Sequence, residues 1–421
     1  MKNRDRFLNK TDYFVFLLVL LDILYFPYVF HLPIKISMIL LVFYPSLVGK
    51  RGYYMGSVTT TIFFAIIGLF SVLIGLKKGT ASMSLIMTNV QALIIIIYGY
   101  WIYIYFIDLI KRTGFDITSS LLLYLSVTCL FAIIYWVRPT LFFSIRPFWT
   151  LQRTGEVFNS YSENRFSFLL SEPNNFAASI NGIMAYLIMG DTVSKKERIV
   201  ISVVSFFLVV SSQSISGTVV FLALQVFFIF FNRKRDIKTA SISKFRKFLI
   251  YFFLLACVVI VGYVVLNYDK IMKMDLLKSA TGRYDLYFNE SGNDITGKRK
   301  DIWIETIQNH TFYKYIILGD ASIGKPHSGN LFILYAFGLV FLCRFLRIFL
   351  FDNLKTKRAI VIRTVFFVVF STNTLVVDLR AFTLWAILLA LTQLEVGDSY
   401  YLGGRIGKHI TFFYRSNLQR R

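Results

Sequence analysis

Long apolar stretches alternate with short polar ones along nearly the whole chain. Each stretch is about 20 residues long, which is enough for a helix to cross a bilayer. The pattern therefore predicts an all-α polytopic membrane protein with about twelve transmembrane helices. We place these helices approximately at 13–30, 33–49, 58–76, 85–110, 117–137, 169–189, 197–211, 215–231, 248–266, 329–350, 359–377 and 381–394.

The stretch 197–231 allows two interpretations. As one helix it would be about 50 Å long at 1.5 Å per residue, which is too long for a single crossing. A polar segment that contains glycine, SSQSISG, lies at its centre, and both flanks are basic. This pattern favours two helices that re-enter as a pair.

The charge distribution predicts the orientation. With the N-terminus in the cytoplasm, more than half of the Lys and Arg residues fall on the cytoplasmic side, whereas the short outer loops carry only Lys35, Lys77, Lys78 and Arg380. This asymmetry satisfies the positive-inside rule and places both termini in the cytoplasm. It also predicts two sizeable outer loops, at 138–168 and 267–328, and a basic cytoplasmic tail at 395–421. Because the N-terminal run has no small-residue cleavage site, we expect no cleavable signal peptide.

Composition agrees with a membrane protein. Hydrophobic residues make up 56% of the 421 residues, and charged residues 16%, against about 25% in a soluble domain. The net charge of +23 is explained by the cytoplasmic loops, so we predict no nucleic-acid partner. Three cysteines in apolar runs and four scattered histidines resemble no metal site, so we expect no bound metal.

The segment GDASIGKPHSGN at 319–330 nearly matches a phosphate-binding P-loop. However, Pro326 and His327 stand where the magnesium-binding Ser or Thr belongs, and the segment falls on the outer side. It is better explained as the entry to a membrane helix with Ser328 as N-cap. His327 at the positive helix end would be a neutral imidazole, able to accept a proton from a hydroxyl. The alternative is an interfacial histidine without a role.

Three outer-loop arginines are candidate anion ligands: Arg165, Arg299 and Arg283. Guanidinium binds phosphate through two parallel hydrogen bonds and keeps its charge, so these residues suit a lipid diphosphate. Snorkelling to lipid headgroups is an equal alternative for any one of them. Both outer loops have nearly balanced charge, so a phosphate site would be local.

The segment SEPNN at 171–175 predicts a helix start, with Ser171 as N-cap and Pro173 in the first turn. Asn174 and Asn175 would then lie near the outer surface, either as part of the capping structure or as ligands for sugar hydroxyls.

Together these residues resemble the O-antigen and capsule polymerases of the Wzy type and their relatives, the O-antigen ligases. Members of that superfamily have about twelve spans and a large outer loop late in the chain. The matching elements here are Gly297, Arg299 and Trp303, then Pro326, His327 and Asn330, and earlier Arg165 with the helix start at 173–175. The chain departs from the pattern at Lys298, and Gly282–Arg283 is the cleaner Gly-Arg pair, so either Arg299 or Arg283 fits. Relatives often have a basic residue after the Ser-rich turn, where this chain has Gly217.

The resemblance implies a GT-C-like fold and a metal-independent glycosyltransferase in the bacterial cytoplasmic membrane, without a cofactor. The enzyme would join repeat units carried on undecaprenyl diphosphate at the outer face, among membrane lipids and beside a membrane protein that regulates chain length. His327 would be the catalytic base, and Arg165, Arg299 and Arg283 would hold the diphosphate. The substrate-binding residues would be Asn174, Asn175, Asn330 and Trp303.

Two other functions fit the same pattern. A ligase, which moves finished glycan to another acceptor, would use the same residues. A flippase for the same lipid-linked units should line its interior with charge and often shows repeated halves. Only Asp22 lies deep in a predicted span and the sequence shows no such repeat, so the flippase is less favoured.

Overall fold

A computed structural model describes residues 10–24, 37–42, 51–78, 83–113, 117–145, 165–170, 172–190, 193–231, 304, 317–321, 328–351, 354 and 356–392. Within these ranges the regular secondary structure is helical and contains no strand, in agreement with the predicted all-α class. Three of the described helices are long and apolar enough to cross a membrane, namely Ser57–Lys77, Met83–Ile110 and Thr118–Val137. The span predicted at 248–266 and the tail 395–421 lie outside the described residues.

Residues 37–42 are helical, and twelve further α-helices have described bounds. They are α1 (Lys10–Leu24), α2 (Arg51–Lys78), α3 (Met83–Thr113), α4 (Thr118–Val137), α5 (Pro139–Ile145), α6 (Pro173–Ile188), α7 (Lys195–Ser211), α8 (Ile215–Phe231), α9 (Gly329–Phe337), α10 (Leu339–Leu346), α11 (Lys357–Thr372) and α12 (Leu379–Leu391). A π-helical segment, Arg347–Phe351, follows α10, and a 3-10 turn, Leu375–Val377, precedes α12.

Helices α3 and α12 form the centre of the bundle. In its most apolar window α3 is 72% buried, whereas α2 is 33% buried, so α3 is central and α2 is peripheral. Gly99 of α3 contacts the ring of Phe382 of α12, and a Cβ atom at this position would overlap that ring. The outward faces are apolar, with Leu69, Leu73 and Ile229 each more than half exposed. This is the surface expected where lipid replaces water.

Helix α6 is enclosed by its neighbours. From Asn175 to Ile188 its residues are buried, and Gly182 packs against the indole of Trp385 in α12. Helix α8 lies so close to α6 that a Cβ at Gly217 would overlap the Cβ of Ala177. Small residues thus permit close backbone approach, as is usual between membrane helices.

The predicted division of 197–231 into two helices is confirmed. Helix α7 ends at Ser211, residues 212–214 turn, and α8 begins at Ile215. The rings of Phe206 and Phe221 lie 5.4 Å apart on either side of the turn, so the two helices run back along each other.

The span predicted at 329–350 is not one unbroken helix. Gly338 has φ 89° and ψ 170°, which ends α9 and separates it from α10. Such a positive φ is accessible mainly to glycine. Residues 317–321 lie against this break: Asp320 N donates to Tyr335 O at 2.7 Å, and Ala321 N donates to Ser71 O at 3.3 Å. Residues 317–321, near the end of the long 267–328 segment, are therefore hydrogen-bonded to the bundle.

The predicted helix starts have different outcomes. Ser328 caps α9 as predicted, with its hydroxyl oxygen accepting from Leu331 N at 3.4 Å. Pro173 is in the first turn of α6, also as predicted. Ser171 as the N-cap of α6 is wrong, because the cap position is Glu172, whose side chain makes no capping hydrogen bond. Its extended backbone, φ −118° and ψ 133°, is the conformation that a residue before proline prefers.

Candidate functional site

Arg165 is buried at one end of the bundle, just before α6, with 6% of its surface exposed. Its Nε donates to Ser212 O at 3.0 Å. Its Nη2 donates to Gln213 O at 3.0 Å and to Asn174 Oδ1 at 3.2 Å. All three acceptors are neutral oxygens, and together they orient the guanidinium.

The turn at Ser212–Ser214 supplies two of those acceptors. Gln213 has φ 51°, a left-handed conformation that costs a residue with a side chain about 1–2 kcal/mol. Ser214 Oγ accepts from Gly217 N at 3.1 Å, and Gln213 Nε2 donates to Tyr135 Oη at 3.3 Å. The strained backbone thus turns two carbonyls towards Arg165, and the guanidinium in turn stabilises the turn.

Asn175 and Asp378 join α6 to the start of α12. Asn175 Nδ2 donates to Asp378 Oδ2 at 3.2 Å. Asp378 Oδ1 accepts from the backbone nitrogens of Arg380 and Ala381 at 3.1 and 3.2 Å, so the same carboxylate caps α12. Arg380 Nη1 donates to Leu169 O, which ties α12 to the segment that carries Arg165.

Asn330 lies in the first turn of α9 and contacts α11. Its Nδ2 donates to Ser371 Oγ at 2.7 Å, and Ser371 Oγ donates to Phe367 O at 2.7 Å. The first turn of α9 and the last turn of α11 therefore lie together, and Thr372 of α11 lies near Asn174, the partner of Arg165.

A small cleft lies between α6, α8 and α11, beside Arg165. It has room for about one water molecule. Its polar lining residues are Asn174, Asn181, Ser216, Thr372 and Asn373. Asn174 is the residue shared by the cleft and by the hydrogen bonds of Arg165.

The structure places some of the predicted site residues and not others. Arg165, Asn174, Asn175 and Asn330 come together at one end of the bundle. The four remaining residues lie outside the described ranges, and their roles stay predictions: His327, Arg283, Arg299 and Trp303. His327 directly precedes Ser328, the N-cap of α9.

Sequence reasoning missed Asp378, Asn181 and Gln213. A signal existed for Asn181, because Asn174 and Asn181 are seven residues apart and so lie on one helical face. None existed for the contact of Asp378 with Asn175, because the two residues are distant in sequence. Among the described residues, no group of three or more His, Cys, Asp or Glu side chains is close enough to hold a metal ion.

Comparison with known proteins gives no assignment. No protein-family model matches the chain, and no curated protein shows significant sequence similarity to it.

Proposed function

We propose that this protein joins oligosaccharide repeat units carried on undecaprenyl diphosphate into O-antigen or capsular polysaccharide. The proposed setting is the outer face of the bacterial cytoplasmic membrane, with twelve spans and both termini in the cytoplasm. The observation that carries the proposal is the buried Arg165, oriented by neutral oxygens next to Asn174. A guanidinium held in this way suits an anionic group, because its position is fixed before the ligand arrives.

The proposed reaction is a glycosyl transfer. A hydroxyl oxygen of the acceptor glycan attacks the anomeric carbon of the donor sugar, and a new C–O bond forms there. The bond from that carbon to the diphosphate oxygen breaks, and undecaprenyl diphosphate leaves with the electron pair. His327 accepts the proton of the attacking hydroxyl. Arg165, with Arg299 or Arg283, stabilises the charge that develops on the diphosphate.

Asparagine side chains suit the glycan part of such a substrate, because an amide both donates and accepts hydrogen bonds. Asn174, Asn175 and Asn330 would bind sugar hydroxyls, and Trp303 would pack against a sugar face. In Asn175 and Asn330 the described bonds use Nδ2, and each Oδ1 accepts none from the described residues. These oxygens are suited to accept from hydroxyl groups.

Deletion of the gene, followed by electrophoresis of the surface glycan, tests the proposal. We expect single repeat units without a ladder, restored to a ladder by the wild-type gene. Long polymer that stays on the carrier lipid would instead identify a ligase, and units trapped in the cytoplasm would identify a flippase.

Complementation with single variants then tests the residues. His327→Ala and Arg165→Ala should both give no ladder while the protein remains in the membrane. Arg138→Ala is the matched control, because Arg138 is an exposed arginine at the same end of the bundle, and this variant should give a normal ladder. A normal ladder from His327→Ala would refute the proposed base.

A further inference from the structure

Asn181, which lines the cleft beside Arg165, has a buried hydrogen-bond acceptor without a partner among the described residues. Asn181 is fully buried, and its Nδ2 donates to Gly217 O at 2.8 Å. A backbone carbonyl can only accept, so this bond fixes which end of the amide is nitrogen. The Oδ1 atom therefore takes the opposite side, where it accepts no hydrogen bond from any described residue.

A buried acceptor without a partner is costly, so such an atom on a residue that lines a cleft indicates a hydrogen-bond donor from outside the described chain. The cleft reaches the surface of the bundle, because Asn174, Ser216 and Thr372 are only partly buried. A ligand group that enters must therefore carry an O–H or N–H and must be about as small as a water molecule.

The position of the cleft identifies which part of the ligand is bound. Asn174 lines the cleft and also accepts from Arg165 Nη2 at 3.2 Å. A group in the cleft is therefore separated from the proposed diphosphate ligand by one side chain. In a lipid-linked glycan, the nearest hydroxyl groups to the diphosphate are those of the first sugar.

We propose that the cleft binds one hydroxyl group of the sugar attached directly to the diphosphate, and that it excludes larger substituents at that position. This inference rests on the function proposed above. Asn181 Oδ1 accepts from the sugar hydroxyl, and Ser216, Thr372 and Asn373 also line the cleft. Because the cleft is narrow, it selects a hydroxyl over an acetamido group at that position of the first sugar, since an acetamido group is several times larger.

The test uses the purified full-length protein in proteoliposomes, with undecaprenyl-diphosphate-linked repeat units as donor. A set of synthetic donors lacks one hydroxyl of the first sugar at a time. For wild type, we expect one of these donors to raise the concentration at half-maximal rate about 3- to 10-fold, the usual effect of one lost neutral hydrogen bond. Asn181→Ala should raise the concentration at half-maximal rate by the same factor with the complete donor. With that one deoxy donor, the variant should show no further increase.

Ser216→Val tests the size of the cleft without removing the acceptor. It should weaken use of the complete donor, whereas Val219→Leu, on the exposed side of the same helix, should not. If Asn181→Ala does not fold, Ser216→Val is tested against the same deoxy donors. The deoxy donor that raises the concentration at half-maximal rate most in wild type should raise it least in this variant.

The outcomes separate the two proposals. One outcome is that wild type joins units while each deoxy donor raises the concentration at half-maximal rate by the same factor in wild type and in the variants. In that case the cleft holds a structural water, and this inference alone is overturned. If wild type does not join units at all, the proposed function is overturned and this inference with it.

Discussion

Asn175 and Asp378, 203 positions apart in sequence, meet with Nδ2 and Oδ2 separated by 3.2 Å. Because Asp378 also caps α12, one carboxylate fastens two central helices at the end that carries Arg165. Asp378→Ala removes the cap, at about 1 kcal/mol, and leaves the buried Asn175 amide without its acceptor, at about 1–3 kcal/mol more. We expect a clear drop in the thermal midpoint of the purified protein.

The exchange of the two residues gives a sharper test. Asn175→Asp alone places two carboxylates face to face and should destabilise the protein. Asp378→Asn alone keeps an oxygen for the cap but sets two amides against each other. The double variant restores a donor and an acceptor, so its thermal midpoint should exceed that of Asn175→Asp. Strictly additive losses would contradict a direct bond between the two side chains.

Arg165 should not be replaceable by lysine. The guanidinium donates from two nitrogens to Ser212 O, Gln213 O and Asn174 Oδ1, in a planar geometry that a single ammonium cannot reproduce. We expect Arg165→Lys to lower the polymerisation rate at least 10-fold. Glycan ladder formation over time measures this, with membrane protein level measured in parallel. Arg138→Lys serves as control, and a near-normal rate from Arg165→Lys would show that charge alone suffices.

Gly319 and Gly338 should tolerate no side chain. Their φ angles are 72° and 89°, and a Cβ at Gly319 would lie 2.5 Å from the backbone nitrogen of Gly338. Alanine at either position strains the backbone and separates residues 317–321 from the helix break, so we expect a loss of more than about 2 kcal/mol. Gly68→Ala is the control, because the atoms nearest to a Cβ there belong to the side chain of Leu93, which can shift, and not to backbone. Equal thermal midpoints for all three variants would contradict the backbone contact.

Features determined by nearby residues were predictable from the sequence. The polar, Gly-containing SSQSISG segment predicted the turn between α7 and α8. The position of Ser328 before an apolar run predicted the N-cap of α9. Apolar periodicity gave the approximate helix bounds. In each case the interaction joins residues within a few positions of each other, so local patterns suffice.

Features determined by distant contacts were not predictable. An apolar run shows that 329–350 suits a membrane helix, but the break at Gly338 depends on residues 317–321 packing against it. Arg165 and Asn174 could be named as candidates from their residue types, yet the contact of Arg165 with the 212–213 carbonyls depends on the packing of the whole bundle. The candidate residues were thus recognisable by type, whereas their grouping was not.

Arg363 is a buried cation within the bundle, 1% exposed. Its Nη1 donates to Phe349 O at 2.9 Å, in the π-helical segment where the regular helical bonding pattern changes. Arg363→Ala leaves both a cavity and an unpaired carbonyl, so we expect a loss of about 2–5 kcal/mol. Arg363→Met fills most of the space and should lose less than half as much. Thermal unfolding in detergent measures both, and equal losses would show that the charge outweighs the packing.

The predicted orientation can be tested with two exposed residues at opposite ends of the bundle. Arg138 follows α4, and Lys196 lies in the first turn of α7. Helix α7 packs beside α4 through a hydrogen bond from Trp136 to Ser211. In a background with Cys129, Cys257 and Cys343 replaced by alanine, a membrane-impermeant maleimide is added to intact cells. Arg138→Cys should be labelled at once, and Lys196→Cys only after permeabilisation, because the basic ends of the spans stay inside. The reverse pattern would place Arg165 and its neighbours on the cytoplasmic side, where the proposed reaction with outward-facing lipid-linked units cannot occur.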